Sequence, residues 1–174
     1  MDAALSPALL SCSLFPSLLI GAAASDVGSM KIPNLLCGLL AILFVPVALL
    51  SGMPLAEIGL HLAVGIAALL VGMVLFAFGG FGGGDAKLIA AAAVWLGPNA
   101  VLPFIAYTAL AGGGLTLIVL ALRSYAKPFF ASPPRWLENL MAPNGSVPYG
   151  VAIAFGGIAA FPLSRLALLT GFIF

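Results

Sequence analysis

Runs of about twenty apolar residues, broken by only a handful of charges, dominate this chain and leave it one solvent to fold in. Hydrophobic residues fill 63% of its 174 positions and charged residues 6%, against about 25% charged in a typical water-soluble domain. Mean hydropathy is +1.26. So few charges cannot coat a surface in water, which excludes a soluble monomer, and the apolar content excludes disorder. A net charge of +1 supplies no basic face for nucleic acid. The solvent is a lipid bilayer.

Breaking the runs at charges and at Pro/Gly clusters predicts six spans, at about 5–25, 35–52, 57–79, 86–97, 100–122 and 150–173. They form one integral-membrane domain over 1–174, with one substantial loop at 123–149. The fold class is all-α, because no stretch alternates as a transmembrane strand does. Lys31, Lys87, Arg123, Lys127 and Arg135 all fall in connections on one side, which the positive-inside rule makes cytoplasmic. Both termini then lie outside, and Arg165, in the outer half of the last span, snorkels outward. Only Asp2 precedes the first apolar run, so the basic start of a cleaved signal peptide is missing and an uncleaved N-terminus is expected.

Few residues can carry chemistry. Cys12 and Cys37 stand alone inside apolar runs and read as small hydrophobes, with neither a disulfide nor a zinc pattern. Glu57 begins the third span, where a carboxylate suits the helix dipole. His61, the single histidine, has no second ligand at metal spacing and reads as a packing or interfacial side chain. HExxH and GxSxG motifs are both missing. That leaves Asp26, at the end of the first span, and Asp85, closing Gly79-Gly80-Phe81-Gly82-Gly83-Gly84-Asp85. So many glycines predict an unwound backbone there, one that another segment can approach closely. The two aspartates share a depth and a face. Brought together, they would divide one proton, the ionised carboxylate activating water and the protonated one polarising a carbonyl. Each could equally be an interfacial charge beside Lys31 or Lys87.

At these positions the sequence resembles the type IV prepilin leader peptidases, membrane aspartic proteases of the GxGD type. It is most similar to the short branch that serves Flp pili. Three blocks carry the resemblance: Asp26 followed by Ile32-Pro33-Asn34; Gly82-Gly83-Gly84-Asp85-Ala86-Lys87-Leu88; and Val147-Pro148-Tyr149-Gly150-Val151-Ala152-Ile153-Ala154. The resemblance implies that Asp26 and Asp85 are the catalytic pair of an endopeptidase cutting the leader from a prepilin at the cytoplasmic face of a bacterial inner membrane. Gly82 and Gly84 would shape the loop, and Lys87 would hold the local field. Ile32, Pro33, Asn34, Pro148 and Tyr149 would be further motif residues. The expected partners are a prepilin, the bilayer, and other components of pilus or secretion assembly; no cofactor and no metal are implied.

This chain departs from the family pattern in two places. Val27–Met30 lacks the several basic residues usual after the first aspartate, leaving Lys31 alone. The cytoplasmic insert with paired cysteines is also missing, so peptidase activity is expected without N-methyltransferase activity. Within the loop, Ser132-Pro133-Pro134 is read as the start of a short amphipathic helix, with Trp136, Leu137, Leu140 and Met141 on one face and Arg135, Glu138 and Asn139 on the other. Gly112-Gly113-Gly114 is expected to allow close helix packing. Glycine-broken spans with two acids also suit a small proton- or cation-coupled transporter, and a non-catalytic assembly subunit is the other alternative.

Overall fold

The computed structural model of the chain describes residues 7–125, 140–142 and 145–171, and every regular element among them is helical. Helix α1 (Pro7–Ser29) buries Ser11, Phe15, Leu19, Ala22 and Asp26. These recur every three or four residues, so they form one stripe down the helix. The register that packs Phe15 and Leu19 inward therefore also points Asp26 inward. The helix outlasts the expected span end at 25 and carries Asp26 in its last turns. It stops at Met30, which takes a left-handed φ of 53° and donates its N–H to the Asp26 carbonyl at 2.8 Å.

Pro33, extended at ψ 132°, caps helix α2 (Asn34–Leu50). Helix α3 (Leu55–Ala77) carries Glu57 in its first turn. Residues 78–82 leave the helix, with Gly79 at φ 76°, and Gly83 and Gly84 then open helix α4 (Gly83–Tyr125). The glycine run is thus unwound only in its first part.

Helix α4 is central, packing against α2, α3 and helix α5 (Tyr149–Ala160), while α1 lies on α2 and α5. Nearly every residue from 88 to 97 is buried, as suits a helix surrounded by others. Gly97, at φ 62° and ψ −169°, breaks the helical path where spans four and five were expected to part, yet helix resumes at once without a loop. Proline at 98 has no N–H to offer the Val94 carbonyl. His61 supplies the missing donor, its Nδ1 lying 2.8 Å from that oxygen. The imidazole also stacks on Phe44, with ring centroids 5.2 Å apart, and covers Gly97, whose Cβ would strike it. His61 is therefore a buried packing residue that repairs the kink. Trp95 anchors the same region, donating its indole N–H to the Leu40 carbonyl at 2.6 Å and stacking on Phe15, which stacks in turn on Phe161.

The last expected span, 150–173, is not one helix. After α5 comes a single 3-10 turn (Phe161–Leu163) and then helix α6 (Arg165–Leu169). Pro162 removes a helical N–H, and Ser164 starts the new helix by accepting the Ala167 N–H at 3.1 Å. Arg165 does not simply snorkel: its Nε meets Glu57 Oε2 at 3.0 Å. Both side chains are about a third or more exposed, so the pair contributes only about 0–1 kcal/mol.

The segments Leu10–Ser29, Leu55–Ala77 and Gly83–Ser124 are long and apolar enough to cross a membrane, and Asn34–Leu50 and Tyr149–Leu163 are shorter apolar helices. Outward-facing Ile42, Leu70, Phe78 and Leu110 are mostly exposed, a surface that matches hydrocarbon rather than water. The chain is an all-α membrane protein. Of the expected amphipathic helix only Leu140 and Met141 are described; Lys127, Arg135, Trp136, Leu137, Glu138 and Asn139 lie outside the described residues.

Candidate active site

Each candidate carboxylate meets the start of a helix, its own for Asp85 and a distant one for Asp26. The Gly82 carbonyl accepts the first hydrogen bond of α4, from Ala86 at 3.0 Å, which makes Gly82 the N-cap and Asp85 the third helical residue. An acid at that position reaches back to the N-cap amide, and here the Gly82 N–H donates to the Asp85 carboxylate. Oδ2 of Asp85 then lies 2.5 Å from where a Cβ on residue 82 would stand, so the folded-back acid leaves room only for glycine.

Asp26 meets a different helix. Its buried Oδ2 accepts the Gly150 N–H at 2.7 Å, and Gly150 is the second residue of α5, one place after Tyr149 and two after the N-cap Pro148. The first amides of a helix lack partners within it and carry its positive pole. Asp26 therefore satisfies one of them from 124 positions away in sequence, with a charge-assisted bond. A Cβ on Gly150 would lie 2.9 Å from that carboxylate oxygen. Asp26 is 7% exposed, Asp85 is half-buried, and the charge on Asp26 acts on Asp85. Two carboxylates from distant parts of the chain thus share one electrostatic neighbourhood, each held by a backbone amide.

The remaining motif residues gather around them. Ile32 packs against Gly84, where a Cβ would lie 3.2 Å from the Ile32 Cβ. Asn34 accepts from Lys87 Nζ at 2.9 Å, so the lysine ammonium braces the start of α2 against α4. Pro33 sets that start, and its carbonyl accepts from Leu36 at 3.1 Å. The connection from Asp26 to Pro33 is tied down by Ser25 Oγ, which donates to the Lys31 carbonyl at 2.9 Å. Tyr149 lies over Gly112 of α4, in a space a Cβ would fill, and meets Phe81 edge-on at 6.2 Å. Close packing was expected of the Gly112 triplet; its partner is this tyrosine. Arg123 donates to the carbonyls of Leu140 at 2.8 Å and Gly145 at 2.7 Å, fixing the approach to α5.

Phe81, Gly112 and Gly150 are site residues that reading the sequence for acids and metal ligands does not find. Gly150 had one visible signal, its place directly after Tyr149 in the third block. Among the described residues, no three His, Cys, Asp or Glu gather where a metal ion could be held.

In a comparison with known families, the model of the type IV leader peptidase family matches residues 13–117. That stretch includes Asp26, the Ile32–Asn34 block and the Gly82–Asp85 block, and it ends before the third block. No curated protein and no solved structure matches the chain.

Proposed function

The chain belongs to the type IV leader peptidase family, and from that premise we propose that it is an aspartic endopeptidase with Asp26 and Asp85 as its catalytic pair. A peptidase with a prepilin substrate follows from the family itself. The proposal adds the residues, the chemistry and the place. One ionised carboxylate takes a proton from water as the oxygen attacks the scissile carbonyl, and its protonated partner donates to the carbonyl oxygen. The tetrahedral intermediate collapses as the C–N bond breaks: the nitrogen leaves with the proton held by the first carboxyl, and one hydroxyl of the intermediate returns its proton to the second carboxylate, which restores the pair. Neither step needs a Ser, a Cys or a metal.

The observation that carries this reading is the anchoring of the two carboxylates at adjoining helix N-termini, Asp26 on Gly150 and Asp85 on Gly82. Fixed amides and helix dipoles at those points hold the acids in place before substrate arrives, which is how a site stabilises charge without reorganising. The further parts of the proposal are an Flp-type prepilin as substrate and a location in the bacterial inner membrane. Five basic residues on one side make the catalytic face cytoplasmic, in a chain of six spans. Methylation of the new N-terminus forms no part of it.

The test is co-expression in membranes with a candidate Flp-type prepilin, reading the pilin N-terminus by mass spectrometry beside Asp26→Asn and Asp85→Asn. The expected result is leader loss with the natural sequence and with neither variant. Cleavage that survives both substitutions rules out the two-aspartate mechanism.

A further inference from the structure

Between α3 and the part of α4 beyond Gly97 runs an apolar groove of about 490 Å³, walled by Ala68 and Val71 on one side and Ile105 and Ala109 on the other. Phe81 and Tyr149 close its head, ring edge to ring face with centroids 6.2 Å apart. Phe81 directly precedes Gly82, whose amide holds Asp85, and Tyr149 directly precedes Gly150, whose amide holds Asp26. The groove therefore ends one residue short of both carboxylate anchors. We propose that it seats an apolar helical segment of the prepilin next to the scissile bond, with the Phe81–Tyr149 pair setting the register of that bond against Asp26 and Asp85. This rests on the assignment of the two aspartates made above.

The physical argument has three steps. A chain entering hydrocarbon must satisfy its own amides, so whatever protein segment occupies this groove is helical. A helix laid in a groove is recognised by apolar side chains along one face, and the walls are apolar apart from the Thr108 and Tyr149 hydroxyls, in a cleft of the size ligands use, about 300–1,000 Å³. An amide inside a helix is shielded from attack, so the scissile bond must lie beyond the helix end. At the head of this groove that position falls past the aromatic pair, at the carboxylates. A second groove, of about 460 Å³, lies on the other face of α3 but runs to Asn34 and Lys87. It ends at a lysine already bonded to Asn34, and the residues that precede Gly82 and Gly150 do not line it. The first groove is the one whose head is formed by the two residues that directly precede the anchoring amides of Gly82 and Gly150.

Two experiments test this separately from the catalytic assignment. Ala68→Trp and Ala109→Trp each fill the groove with an indole. Against full-length prepilin they should raise KM by at least about tenfold, with kcat changed by less than about twofold. A short soluble peptide spanning the scissile bond but lacking the apolar segment should be cut by both variants as by the natural enzyme, which also shows that they fold. An unchanged KM for full-length prepilin in both variants overturns the proposal. The second experiment places a photo-crosslinking residue at position 109 in the Asp26→Asn background, where binding is read without turnover. Capture of the prepilin through its apolar segment supports the groove; crosslinks to lipid alone overturn it. Failure of the natural sequence to cleave any prepilin would count against the two aspartates, whereas failure of capture counts against the groove.

Discussion

Replacing Gly150 with alanine should cripple cleavage while leaving the fold standing. A Cβ at this position would stand 2.9 Å from Asp26 Oδ2, 3.0 Å from its Cβ and 3.3 Å from its Cγ. Ordinary carbon contacts begin at about 3.5 Å, so the carboxylate must retreat by about half an ångström or α5 must shift. Either movement stretches the 2.7 Å bond from the Gly150 amide. A hydrogen bond to a charged group contributes about 1.5–3 kcal/mol, and its weakening also frees the carboxylate to swing. Misplacing a catalytic group by about 1 Å can cost on the order of a hundredfold in rate, so kcat should fall between about tenfold and about a hundredfold. KM for the prepilin should stay within about twofold, because the substrate's binding surface is untouched. The assay is initial-rate cleavage of purified prepilin in lipid nanodiscs, with the thermal midpoint of each variant measured alongside. Unchanged kcat in a folded Gly150→Ala enzyme would refute the idea that the start of α5 positions Asp26.

Two further substitutions test the scaffold. His61→Phe keeps the stacking on Phe44 but removes the donor to the Val94 carbonyl, which Pro98 has already left without its helical partner. A buried unsatisfied carbonyl costs about 1–3 kcal/mol, so the thermal midpoint should drop. Position 97 is twelve residues beyond Asp85, about 18 Å along the helix, so cleavage below the midpoint should be unaffected. Met30→Gly should act in the opposite direction. The left-handed φ of 53° costs a non-glycine residue about 1–2 kcal/mol. Part of that gain is offset by the extra freedom of an unfolded glycine, leaving about 0.5–1 kcal/mol of stabilisation, visible as a raised thermal midpoint.

The helices were legible in the sequence because apolar runs in a chain this poor in charge have few alternatives. The inward aim of Asp26 was legible too, in principle: Phe15, Leu19 and Ala22 mark a stripe whose next member is Asp26. Two breaks were readable only in part. Gly97-Pro98 signalled the end of a span, but not that His61, 33 positions before Val94, would repair the break by reaching the Val94 carbonyl. Pro162 and Ser164 together spell a helix stop and restart, yet the apolar composition around them reads as one continuous span. The pairing of Glu57 with Arg165 was out of reach, because each residue has a sufficient local explanation, one at a helix start and the other at a membrane edge.

What spacing alone could not supply is why three short blocks, scattered from 26 to 154, belong to one site. The contacts give a physical reason. Gly82 makes room for the Asp85 carboxylate to fold back, Gly84 lets α4 close on Ile32, and Gly150 brings the first turn of α5 onto Asp26. At Gly84 and Gly150 a methyl group would push two blocks apart, and at Gly82 it would displace the Asp85 carboxylate within its own block, so each change would move a carboxylate or the helix that carries it. The Lys87–Asn34 bond ties the first block to the second as well, so the start of α2 cannot drift without pulling on α4. The blocks thus act as a single clamp around two acids. A substitution at any of these small residues should therefore affect cleavage more than its own chemistry suggests, because its effect is transmitted to the distance between Asp26 and Asp85.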